Sequence, residues 1–133
     1  MKRYAVLSLF AFAFLAFASV WLGGLNQDEG WYLYAARLVS FGQIPYRDFF
    51  FTQGPIMPYI YAAFHGLWSD GGILGARIFT LTFGLLAILF ASATAAVIAK
   101  QGERKRAALI CFILLACNLY HLYYLAIPKT YAL

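Results

Sequence analysis

Ile78-Phe79-Thr80-Leu81-Thr82-Phe83-Gly84-Leu85-Leu86-Ala87-Ile88-Leu89-Phe90 opens a run that continues to Ala99 without a formal charge. A helix rising 1.5 Å per residue needs about 20 residues to cross roughly 30 Å of hydrocarbon, and this run supplies them. Residues 4–25 and 107–127 form two more runs of that length, the first interrupted only by Ser8, Ser19 and glycines. Hydrocarbon offers no water to backbone N–H and C=O groups, so each run must pair its own and is read as a helix. Composition agrees: the chain is 64% hydrophobic, 20% aromatic and 11% charged. A soluble domain of 133 residues could not cover that much apolar surface. The sequence therefore predicts an all-α integral membrane protein of three transmembrane helices, with two interfacial juxtamembrane helices in a long external loop at 26–72.

Charge sets the expected orientation. Lys2 and Arg3 precede the first run, and the turn at 100–106 holds Lys100, Arg104, Lys105 and Arg106. The loop at 26–72 has Arg37 and Arg47 against Asp28, Glu29, Asp48 and Asp70. The positive-inside bias puts both basic ends in the cytoplasm and the loop outside, in a plasma (bacterial inner) membrane. Although the net charge is +5, the basic residues flank apolar runs rather than forming a binding stripe, which excludes a nucleic-acid partner. A cleaved signal peptide is the competing reading of the first run, because Ala16-Phe17-Ala18 has the form of a cleavage site. The apolar run continues past it through Val20, Trp21, Leu22 and Leu25, longer than a typical signal core. Either reading leaves the loop outside.

The loop is unusual connector material. Asn26-Gln27-Asp28-Glu29-Gly30-Trp31-Tyr32 begins it, placing two of only five acidic residues side by side at the expected membrane surface. With Asn26 or Asp28 as an N-cap and Gly42 as a stop, the following segment reads as a short interfacial helix. Gln43 to Pro55 is a turn-rich aromatic segment, and a second interfacial helix runs from about Met57 or Pro58 to Trp68. Cys111 and Cys117 lie on opposed faces of the third run and cannot pair with each other.

The ordered features Asp28-Glu29, Tyr32, Gly42, Pro45-Tyr46-Arg47-Asp48-Phe49-Phe50, Gln53-Gly54-Pro55-Ile56 and Gly71-Gly72 through Arg77 resemble the N-terminal part of integral-membrane GT-C glycosyltransferases. The resemblance is to the protein-mannosyltransferase and aminoarabinose-transferase type. It implies transfer of a sugar from a polyprenyl-phosphate carrier to an acceptor lipid, glycan or protein at the external membrane face. On that reading Asp28 is the catalytic base, and Glu29 or Asp48 orients the acceptor or the base. Arg77 meets the carrier phosphate as a bidentate donor. Tyr32, one turn after Asp28, faces the same site, and Arg47 with Asp48 completes the substrate-binding set.

Each residue also has a plainer reading: Asp28 as a cap, Arg47–Asp48 as a turn pair, Arg77 as a snorkelling anchor, His65 as an interfacial hydrogen-bonder, and Asn118 and His121 as interhelical bonders. No cofactor is required by the sequence. The acid pair leaves a divalent cation open, although two carboxylates without further ligands make a poor all-protein site. Full-length members of that family are several times longer, so the resemblance implies an N-terminal fragment, inactive alone, with Pro128 opening a fourth helix. The alternative is a complete small membrane protein that binds a partner or lipid through its aromatic loop.

Overall fold

The computed structural model describes residues 2–129, and seven α-helices make up most of that length. Helix α1, Lys2–Trp21, ends four residues before the expected limit at 25. Gly23 and Gly24 release the chain there, and the last helical carbonyls find a different donor. Helix α2, Gln27–Ser40, starts at Asn26, which is extended and forms a capping box with Glu29. The Asn26 side chain accepts from Asp28 N at 3.0 Å while Asn26 N donates to Glu29 Oε2 at 3.0 Å. This satisfies donors that a helix start otherwise leaves orphaned. Gly42, at φ 86°, stops α2 in the left-handed conformation, its N–H bonded to Val39 O,.

The expected helix from Met57 or Pro58 to Trp68 is broken at Phe64 into α3, Ile56–Ala63, and α4, His65–Trp68. The break frees the Tyr61 carbonyl, which takes the Trp68 indole N–H at 2.8 Å in place of a helical amide. A 3₁₀ turn, Ser69–Gly71, leads into α5, Gly72–Ile98. The helix thus begins six residues before the expected span at 78–99, and Gly72 at φ 55° makes the bend.

The third expected helix, 107–127, is two helices. Helix α6, Arg104–Ala116, and α7, Leu119–Ala126, meet at 70°. Asn118 takes an extended backbone and its Oδ1 accepts from His121 N at 3.1 Å, so it caps α7. That local use replaces the interhelical bond expected of Asn118 and His121. The apolar run persists, but the helix does not. Of the expected entrance to a fourth helix at 128–133, Pro128 and Lys129 are not helical, and the remainder lies outside the described residues.

Packing places two cores at two levels. Tyr32, Leu33, Ala36, Phe51, Met57, Tyr61, Trp68 and Ala76 bury together where α2, α3 and α4 meet the start of α5. Ile88, Ala116 and Leu122 form the second, flanked by Phe12, Leu15, Phe112 and Leu125. Gly84 permits the α5–α7 crossing, since a Cβ there would lie 2.8 Å from Leu125 Cβ. The stretches Arg3–Trp21 and His65–Ile98 are long and apolar enough to cross a membrane, and the bent α6–α7 pair makes a third if it is one span. Only 22% and 17% of the most apolar windows of the first two are buried within the protein. Phe10, Phe14, Phe90 and Val97 are among the side chains left exposed, an apolar surface that lipid would cover. The described residues are thus essentially all helical, with two or three helices long and apolar enough to span a membrane.

Candidate functional site

Arg77 lies in the second turn of α5, yet it is almost wholly buried. Its guanidinium carries five N–H donors, and each has an acceptor. Nε donates to Glu29 Oε1 at 2.8 Å and Nη2 to Glu29 Oε2 at 2.7 Å. Nη1 reaches Val20 O and Gly23 O, both at 3.0 Å, and Nη2 also reaches Gly24 O at 2.9 Å. These carbonyls lie at and just past the end of α1, where a helix has no further N–H to offer them and a cation is favoured. Gly23 contributes by lacking a side chain: a Cβ there would lie 2.4 Å from Ser19 O and 3.5 Å from Arg77 Nη1.

Glu29, with no exposed surface, closes the α2 capping box and pairs with Arg77 at once. One ion pair therefore ties the end of α1 and the start of α2 to α5. All five Arg77 donors are taken by acceptors within the protein, and Glu29 bonds Arg77 and Asn26.

Asp28 is placed differently, because neighbours on a helix point about 100° apart. Its side chain is 46% exposed, and its Oδ2 sits 2.7 Å from Lys129 Nζ. The Lys129 stem is buried, so the ammonium is held near Asp28 from the segment that follows α7. Sequence reasoning did not single out Lys129. The available signal was a lone cation directly after the apolar, tyrosine-rich run Tyr120, Tyr123 and Tyr124.

The other predicted residues do not join this group. Tyr32 is buried in the loop core, edge-on to Phe51 at 6.1 Å between centroids. Arg47 and Asp48 pair within the aromatic turn, Nε to Oδ1 and Nη2 to Oδ2, both at 2.9 Å. Asp48 Oδ2 also accepts Ile44 N at 2.8 Å. The Arg47 guanidinium, then the Ile44 N–H, hold the Asp48 carboxyl down to about 2, and the same pairing raises Arg47. Tyr46 stands at φ 67°, uncommon for a non-glycine residue, with its N–H on Phe49 O and its hydroxyl donating to Gln53 O. This pair closes a turn, the plainer of its two readings. His65 stacks edge-on against Trp68 at 5.1 Å.

A groove of about 450 Å³ runs between α1 and α7, lined by Ala18, Leu22, Gly23, Leu119, Tyr120 and Tyr123 among others. Its wall includes Gly23, whose carbonyl Arg77 holds, and Arg77 is held by Glu29, the neighbour of Asp28. The α1–α7 groove and the half-exposed carboxylate are thus linked by one chain of bonds. Among the described residues no three His, Cys, Asp or Glu side chains gather to hold a metal ion. In comparisons with known proteins the chain matches no family model, no curated protein and no solved structure.

Proposed function

We propose that this chain serves a membrane glycosyltransferase, with Asp28 as the base that accepts a proton from an acceptor hydroxyl at the external face. The acceptor oxygen bonds to the anomeric carbon of the sugar as the bond to the polyprenyl phosphate breaks, and the electron pair departs with the phosphate. The observation that carries the reading is the division of labour within the acid pair. Glu29 is buried and structural, whereas Asp28 is half-exposed with an ammonium 2.7 Å away. A base must be reachable by its substrate and correctly oriented. With Arg77 committed, Lys129 is the cation to meet the departing phosphate, and the α1–α7 groove is the surface for the carrier's apolar tail.

The test is Asp28→Asn, introduced into the native gene, with transfer of radiolabelled sugar from polyprenyl phosphate followed in isolated membranes. Loss of a general base lowers the rate about 10²–10⁴-fold. An unchanged rate at unchanged protein level removes Asp28 from the chemistry and with it this function.

A second reading, a partner-binding protein without catalysis, is favoured by the aromatic turn. Phe50 is 82% exposed there, and Tyr46 and Phe41 are exposed nearby in sequence. Photo-crosslinking from Phe50 to one protein partner, together with an innocuous Asp28→Asn, supports it.

A further inference from the structure

The opposite end of the molecule carries a feature that the sugar-transfer reading does not use. Arg3, Lys100, Arg104 and Lys105 are all exposed at that end, with Arg106 beside them. Glu103 is the lone acid of the turn and faces Arg106 at 3.6 Å. The first turn of α6 is therefore three cations in a row on the positive end of the helix dipole, with no side-chain cap. That arrangement disfavours the helix unless an anion offsets it.

Directly below lies a groove of about 260 Å³ between α1, α5 and α6, almost entirely apolar, lined by Ala5, Leu9, Ser92, Ala108, Leu109 and Phe112 among others. Side chains three or four residues apart share a helix face, so Arg104 stands one turn above Ala108 and Lys105 one turn above Leu109. At 1.5 Å per residue both cations are about 6 Å along the axis from the groove's lining. Small side chains, Ala5 and Ala108, open the groove beside this charge, and Phe112 with Phe12, at 6.2 Å between centroids, packs at its deeper end.

We propose that this end binds an acidic phospholipid. Arg104 and Lys105, with Arg3 and Lys100, meet the headgroup phosphate, and one acyl chain lies in the groove between α1 and α6. Charge and shape argue for the same occupant independently: cations alone would suit any anion, and the groove alone any apolar chain. A phospholipid of net negative charge joins the two at the spacing observed, and basic pockets between membrane helices are known to hold such headgroups.

The full chain reconstituted with spin-labelled phosphatidylglycerol or spin-labelled phosphatidylcholine tests this through the motionally restricted fraction of each label. We expect a several-fold preference for phosphatidylglycerol. The preference collapses toward unity in R104Q/K105Q and survives in the charge-conserving R104K/K105R. Ala108→Phe, which fills the groove without changing charge, reduces restriction of both labels, and Arg37→Gln, elsewhere in the fold, changes neither. Equal retention of the two lipids by the wild type overturns the proposal, as does a preference untouched by R104Q/K105Q while helix content is kept. Displacement of the phosphatidylglycerol label by millimolar inorganic phosphate also overturns it, since that marks a simple anion site.

Discussion

Replacing Arg77 with methionine keeps an unbranched apolar stem and removes the charge and all five donors. Two consequences differ in size. Glu29 keeps no exposed surface, so its carboxylate is left buried with only Asn26 N as a described donor. Breaking a buried pair in this way costs about 3–5 kcal/mol. Of the three carbonyls released, Val20 is buried while Gly23 and Gly24 have access to solvent. One unsatisfied carbonyl therefore adds about 1 kcal/mol, giving roughly 4–6 kcal/mol, most of it from the stranded charge. Tryptophan fluorescence during reversible SDS unfolding in mixed micelles reports the loss, since Trp31 follows Glu29 on α2 and Trp68 lies in α4 just before α5. Glu29→Leu combined with Arg77→Met removes the stranded charge and returns about 1–3 kcal/mol of that loss as coupling. An Arg77→Met protein within about 1 kcal/mol of wild type, or a double variant equal to the sum of its parts, refutes the view that this pair joins α1, α2 and α5.

Asp48 titrates at about 2, held there by Arg47 and the Ile44 N–H, against about 3.9 for an unperturbed aspartate. Because the folded value is depressed, the pair's contribution is complete above about pH 4 and is lost as pH falls through about 2. Carboxyl ¹³C NMR should place the wild-type midpoint near 2 and move it up in Arg47→Ala; a wild-type midpoint near 4 contradicts the turn geometry. Gly84→Ala brings a Cβ to 2.8 Å from Leu125 Cβ. It should destabilise the protein by about 1–3 kcal/mol in the same SDS assay, despite alanine's better helix propensity. Stabilisation would mean that α5 and α7 do not pack this closely.

The apolar runs were legible because length and lack of charge suffice to predict a membrane helix, and the α2 start was legible to within two residues because Asn26 and Asp28 are both N-cap types. The interruption at Asn118 was harder. Asparagine inside an apolar run serves equally as an interhelical bonder or an N-cap, and only the backbone decides. The Glu29–Arg77 pair joins residues 48 apart in sequence, beyond any periodicity. Its signal was physical: few charges lie near the apolar runs, and charges there pair with each other before they serve a ligand. Asp28 and Glu29 look equivalent as letters. The helical turn between them sends one inward to Arg77 and the other toward Lys129.

The bend between α6 and α7 has a consequence for the surrounding bilayer. Thirteen residues of α6 give about 20 Å, and eight residues of α7 tilted by 70° add only about 4 Å along the same direction,. Taken as one span, the pair reaches several ångströms short of a hydrocarbon layer roughly 30 Å thick. Lipid beside α7 must then thin to match. The depression would form along the flank bearing Tyr120 and Tyr123, drawing headgroups down beside α7.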